Sequence, residues 1–328
     1  MSASFTRTLS PNLRKFIIKA KTQKRKASAP QPTLTGIDFI GDIHGEFEKL
    51  GQLMAKLGYK ILSNGGFAHP RRHAVFLGDL ISRGPQIPAV CKSVRRSVES
   101  GHATFILGNH ELLALRYAVQ RELPAMHLSL GLTLEKTKTR IQHSVTQFNK
   151  TSDWVGMLDW FYKQPLWFET SWVRAVHACW DSTAIELLRQ TGGAYLRPAD
   201  LSPYPSRRQF ALRQILEGPT LRLPLAGSSS QRIRWWINAP RRWEEAIFSR
   251  SRKLPSALLP KNRRVIFPGY QAQLPPVFFG HYGFLKKAAP LAVNVACLEL
   301  GITRNAPLCA YRWNGEKNIF PESFVTSS

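Results

Sequence analysis

Three times within residues 36–111 an apolar, β-prone stretch runs into a glycine and then into side chains that hold metals or phosphate. Residues 36–40 lead into Gly41-Asp42-Ile43-His44-Gly45, and 73–77 lead into Gly78-Asp79-Leu80-Ile81-Ser82-Arg83-Gly84. Residues 103–107 lead into Gly108-Asn109-His110-Glu111. Each junction is followed by a helix-like segment. Carboxylate, imidazole, amide and guanidinium groups therefore fall at the carboxyl ends of neighbouring strands, the edge where open α/β sheets bind their ligands. Two later junctions of the same kind deliver His177 after 172–176 and His281 after 276–280.

Two divalent cations held about 3.5–4 Å apart need a bridging carboxylate, further oxygen or imidazole ligands, and open positions for water and phosphate. Asp42, His44, Asp79, Asn109, His177 and His281 supply such a set. Asp42 and Asp79 alone among them are anionic, so the loaded site stays positive and suits a phosphate dianion. Singly, these signals are weak: a Gly-Asp turn is common, and a lone histidine on an apolar strand is ordinarily a core residue. As an ordered series of strand ends they are specific. His69, His73, His102, His127 and His143 lack that context and are assigned to structure or surface.

The elements that must position these groups are legible from periodicity. Residues 46–58 place Phe47, Leu50, Leu53, Met54 and Leu57 on one helical face. Further helices are expected over 86–100 and 111–120, and late strands over 291–300 and 306–313. The region 181–273 is less regular, with a serine triplet, several prolines, Arg-Ile-Arg-Trp-Trp and Arg-Arg-Trp-Glu-Glu. It is expected to be an insertion or cap over the site, within a catalytic domain spanning 36–328. Residues 1–35 stand apart. The first acidic residue is Asp38, and Arg7, Arg14, Lys15, Lys19, Lys21, Lys24, Arg25 and Lys26 precede an Ala-Ser-Ala-Pro-Gln-Pro linker. That composition fits a solvated basic arm. Residues 13–21 can form a short amphipathic helix on an anionic surface, and the acid-free character also overlaps with organelle transit peptides.

A chain of 328 residues with 43% hydrophobic and 11% aromatic content can bury one large core. No apolar run approaches the roughly 20 residues of a membrane-spanning helix. The balance of 46 basic to 21 acidic residues, net +25, should attract polyanions. The expected partners are a phosphorylated protein or nucleotide as substrate, and nucleic acid or another polyanion through the basic arm. Cys91, Cys179, Cys297 and Cys309 show no paired spacing, which fits a reduced, cytoplasmic protein. Cys179, close to His177, is expected to be a small buried hydrophobe.

The ordered motifs GDIHG, GDLISRG and GNHE, followed by VHA and GH, resemble the phosphoprotein phosphatase family of calcineurin-like metallophosphoesterases. The resemblance covers roughly residues 36 to 313. The family's bacterial branch includes serine/threonine phosphatases and symmetrical diadenosine tetraphosphatases. The resemblance implies an α/β fold, a four-layered α/β/β/α sandwich, here with a helical or irregular insertion. It implies that Asp42 and His44 hold one metal, Asp79 bridges, and Asn109, His177 and His281 hold the other. By the same carry-over His110 is the general acid and Arg83 the phosphate clamp. The residues support both roles: His110 adjoins a ligand, so its ring can stand by the leaving oxygen. Gly84 lets the backbone turn so that the Arg83 guanidinium can meet two phosphate oxygens. A second phosphate arginine is expected from mid-chain, Arg234 being preferred over Arg232, Arg241 and Arg242. Mixed nitrogen and oxygen ligation fits manganese, the metal expected, with iron and zinc as alternatives.

One departure bears on substrate. The family usually carries aspartate where this chain has Ser82, and that aspartate orients the catalytic histidine and supports its charge. Symmetrical diadenosine tetraphosphatases have a small residue there, yet Glu111 follows the protein-phosphatase form GNHE and not their GNHD. The expected reaction is hydrolysis of phosphoserine or phosphothreonine on protein. Symmetrical hydrolysis of dinucleoside polyphosphates is the alternative. An inactive phosphate- or nucleic-acid-binding module is a third.

Overall fold

Strands built on period-two alternation form two facing sheets in the computed structural model, which describes residues 35–120, 134–202, 204–222, 230–248, 257–259, 267–283, 287–302 and 306–328. The basic arm, Thr35 excepted, lies outside the described residues. In chain order the strands are β1 (Gly36–Ile40), β2 (Lys60–Ile61), β3 (Phe67–Ala68), β4 (Arg72–Phe76), β5 (Ala103–Phe105), β6 (Trp167–Glu169) and β7 (Arg174–Val176). They continue with β8 (Thr220–Arg222), β9 (Ser230–Arg232), β10 (Val277–Phe279), β11 (Val295–Cys297), β12 (Cys309–Trp313) and β13 (Phe324–Thr326). One sheet runs β13-β12-β1-β4-β5 and the other β11-β10-β7-β6.

Within the first sheet β1, β4 and β5 are parallel. Parallel neighbours need crossover helices, supplied by α1 (Phe47–Lys56) and α2 (Ile87–Glu99). In the second sheet β7, β10 and β11 are parallel. The carboxyl ends of all six strands deliver the junctions read from the sequence or lie beside them.

Alternation decides which residue meets which layer. In β1, Phe39 faces the second sheet and stacks on Phe278 with ring centroids 4.4 Å apart. Val75, Leu77, Ala175 and Tyr311 complete this inner layer. Ile40, Phe76 and Phe105 face the other way, against Leu53, Val90 and Trp160. On the far side, Val176 and Phe279 pack with Ile215, Trp235 and Tyr282. The result is the α/β/β/α sandwich expected. Asp38, also buried, survives because Tyr59 Oη, Arg72 Nε and Arg312 Nε donate to its carboxylate.

The helix α3 (Asn109–Gln120) leaves the third junction, followed by α4 (Leu134–Thr146) and α5 (Thr151–Tyr162). The region 181–273 contains α6 (Ser182–Gly192), capped by the Asp181 carboxylate, α7 (Arg207–Glu217), capped by Ser206, and the short α8 (Trp243–Ala246). Its Trp235 and Trp236 are buried against Phe279, the packing role such a pair ordinarily has. The strand expected over 291–300 shrinks to Val295–Cys297. Leu291 N–H donates to Val295 O, so the chain doubles back before it can extend. Among the described residues no helix is long and apolar enough to cross a membrane. All four cysteines are buried and unpaired.

Candidate metal centre

The junctions turn sharply. Among the described residues six non-glycine residues have positive φ, and five are His44 (48°), Asp79 (53°), Ser82 (72°), Arg83 (73°) and His281 (63°). The left-handed region costs an L-residue about 1–2 kcal/mol, so strain is concentrated where side chains are swung over the sheet edge. Hydrogen bonds hold the turns in place. Ile43 N–H and His44 N–H donate to Asp79 O, Gly45 N–H to Leu80 O and Gly84 N–H to His44 O. Glycine is required at two further places, because a Cβ on Gly108 or Gly280 would collide with the Asp79 or Asp42 carboxylate.

The six candidate ligands converge. His44, Asp79 and His110 place ligand atoms within 4.8 Å of one another, as do Asp79, His177 and His281, and Asp42, His44 and Glu299. Asp79 belongs to two of these groups: His44 Nε2 is 3.6 Å from its Oδ2 and His177 Nε2 is 3.4 Å from its Oδ1. The Asn109 amide oxygen stands 2.9 Å from His177 Nε2. Two tautomers are set from behind. His44 Nδ1 bonds the Ile81 carbonyl at 2.9 Å and His177 Nδ1 the Leu77 carbonyl at 2.6 Å. Each ring is thereby left with an unprotonated Nε2 facing the cluster, as a metal-binding imidazole needs.

Electrostatics match that use. Burial pushes the Asp79 carboxyl up to about 7 against the pull of His110 N–H and Arg83. Burial, then Glu299 and Asp79, raise Asp42 well above the usual carboxylate range. Burial, then Arg83, lowers His44 to about 3, and burial lowers His177 to about 4. Carboxylates crowded together with only partial compensation from Arg83 and backbone N–H groups, and imidazoles kept neutral, form a donor set that divalent cations would relieve. The residues fit a pair of such ions.

His110 Nδ1 lies 2.8 Å from Ser82 Oγ, while its Nε2 is 3.7 Å from Asp79 Oδ2. Arg83 lines the same cavity. Arg232 lines it too and Arg234 does not, which reverses the order expected for the second arginine. The Arg232 guanidinium donates to His281 O at 2.6 Å and to His281 Nε2 at 3.0 Å. Two residues escaped the sequence reading. Glu299, buried next to Asp42, follows a short strand and carries no local motif. Glu111 stands out in the sequence only as a family variant, yet its carboxylate accepts N–H bonds from Asp79, Leu80, Ile81 and Gly108 at 2.8–3.3 Å. The cavity over the cluster measures about 940 Å³ and runs on past it between α3, α6 and α7.

The sequence family described as "Calcineurin-like phosphoesterase" matches residues 36–216. The chain belongs to that family. This phosphoesterase is 40% identical over 121 residues to an asymmetrical bis(5'-nucleosyl)-tetraphosphatase of Anoxybacillus flavithermus, a match covering 34% of the chain and 47% of the relative. It thus spans about half the length, or less, of the first curated relatives it matches. A symmetrical bis(5'-nucleosyl)-tetraphosphatase of Actinobacillus succinogenes is 25% identical over 312 residues, covering 88% of the chain and 96% of the relative. Among solved structures, a putative diadenosine tetraphosphatase aligns over 90% of the phosphoesterase and 94% of its own chain, at 16% identity and a TM-score of 0.46.

Proposed function

We propose that this phosphoesterase hydrolyses dinucleoside polyphosphates. The observation that carries the reading is the cavity. It extends beyond the candidate ligands to a wall of Leu112, Leu113, Leu187, Phe210, Phe267 and Pro268. Its size and mixed lining suit a nucleotide, since ligand sites of about 300–1,000 Å³ combine apolar walls with a few placed polar groups. The nucleosyl-tetraphosphatase names of the relatives point the same way. Glu111 is the residue that matches the protein-phosphatase form of the third motif. That side chain is fully buried beneath the turns, holding backbone amides, and does not line the cavity. Its identity therefore says little about substrate.

Asp42, His44, Asp79, Asn109, His177 and His281 would hold two divalent cations. Bound there, they would supply Lewis acidity toward phosphoryl oxygens and acidify a water for attack. Arg83 binds equatorial oxygens of the reacting phosphate through its planar fork. Arg232, which lines the cavity with its guanidinium held by the His281 and Tyr282 carbonyls, is the second phosphate ligand. As water adds to phosphorus and the bond to the leaving oxygen breaks, His110 Nε2 gives that oxygen its proton. Ser82 Oγ accepts from Nδ1–H and keeps the ring aimed, without the charge that an aspartate would add.

Protein loaded with manganese is expected to split diadenosine tetraphosphate with kcat/KM at least about tenfold above that for a phosphoserine peptide. Two equivalents of ADP mark central cleavage, and AMP with ATP marks cleavage at one end. Faster peptide hydrolysis would reverse the assignment. Turnover of neither would support the inactive binding module.

A further inference from the structure

Two turns up α3 from Asn109, the same helix face carries Arg116. Seven residues separate them, about 10.5 Å of helical rise, and both residues line the one cavity. Arg116 lines that cavity, yet is only 4% exposed. Its Nε and Nη2 donate to the Asp200 backbone carbonyl at 3.3 and 3.2 Å. The Asp200 carboxylate is already taken: Arg208 Nε meets both oxygens at 2.9 and 3.0 Å, and Arg197 N–H donates to one of them. Of the other charged groups near it, Glu217 pairs with Arg213. Arg116 therefore presents a buried cation whose sole acceptor among the described residues is a neutral carbonyl, with further N–H donors available. Glu217 and Asp200 attract the guanidinium, but no carboxylate among the described residues accepts a hydrogen bond from it, so its remaining N–H donors can take a phosphate oxygen.

We propose that Arg116 receives a second phosphate of the substrate, set off from the reacting phosphorus along a linear phosphate chain. The inference rests on the polyphosphate reading of the site above and assigns to it a specificity residue. A phosphomonoester reaches only the cluster, whereas a chain of several phosphates running along α3 also reaches the guanidinium.

The test uses full-length protein in excess manganese, so that chelation by triphosphate does not strip the site. Inorganic triphosphate and orthophosphate compete against nitrophenyl phosphate hydrolysis. Wild type should bind triphosphate at least about tenfold more tightly than orthophosphate, the increment of one charged hydrogen-bonded contact. Arg116→Gln should erase most of that ratio, leaving the orthophosphate Ki and nitrophenyl phosphate kcat and KM within about twofold. Arg116→Lys, which keeps the charge without the fork, should fall between. For diadenosine tetraphosphate, Arg116→Gln should raise KM with little change in kcat. Equal binding of the two anions by wild type overturns the proposal even if no variant folds. So does a ratio unchanged in Arg116→Gln, or an equal loss on every ligand. If wild type does not turn over diadenosine tetraphosphate but the triphosphate ratio depends on Arg116, the nucleotide reading fails and the phosphate-chain subsite stands.

Discussion

Glu111→Gln separates the support of the metal centre from the centre itself. In the native site each carboxylate oxygen takes two backbone N–H bonds: Oε2 from Asp79 and Gly108, and Oε1 from Leu80 and Ile81. Glutamine keeps one oxygen, so two of these four donors must face an NH₂ group whichever way the amide turns. Each buried donor left without an acceptor costs about 1–3 kcal/mol, so the loss is about 2–6 kcal/mol. Burial, however, pushes the Glu111 carboxyl up to about 7, and removing a charge that is costly to bury returns part of this. The net expectation is a loss of about 2–4 kcal/mol, a large share of the usual 5–15 kcal/mol of a folded protein. Because Asp79 and Gly108 hang from this carboxylate, the turns should loosen and metal content should fall with stability. Urea denaturation and metal analysis of the purified variant measure both. Glu111→Asp, which keeps both oxygens on a shorter arm, should be intermediate. A Glu111→Gln protein with the wild-type urea midpoint and full metal content would refute the reasoning.

Asp79→Asn should abolish turnover and lower metal content, because an amide cannot neutralise two cations as a carboxylate does; near-normal activity at full occupancy would remove the core of the assignment. His110→Asn should keep its metals but lower kcat by about 10²–10⁴ on a phosphoserine peptide, whose alkoxide must be protonated, and less on nitrophenyl phosphate, whose leaving group needs no proton. Equal losses across leaving groups would give the ring a structural role. Metal binding should weaken as pH falls below about 7, since Asp79, raised to about 7, must lose a proton to ligate, whereas His44 and His177 are already neutral. Each unit below that point should cost about tenfold per carboxyl ionised, with proton release read by calorimetry in buffers of different ionisation enthalpy. Affinity constant between about pH 5.5 and 7 would contradict the buried, protonated state of the metal-free site.

What the amino-acid order determined by itself was local. A β-prone stretch, a glycine and a ligand-bearing turn are encoded within about ten consecutive residues, because strand alternation and positive-φ turns are properties of neighbouring peptides. Asp42, His44, Asp79, Arg83, Asn109 and His110 could therefore be singled out, as could α1 from the spacing of Leu50, Leu53 and Met54. Tertiary packing decided the rest. Glu299 joins Asp42 because β11 pairs with β10, and nothing near Glu299 in the chain announces that register. Ser82 meets His110 across 28 residues, so the family departure acquired a geometric meaning only in the fold. Arg232 and Arg234 are alike as sequence, but only Arg232 lines the cavity. Arg116 reads as an ordinary helix residue until Arg208 is seen to occupy the Asp200 carboxylate. The physical reason is common to all four: periodicity records which face a side chain takes, while charge compensation depends on partners that chain order does not name.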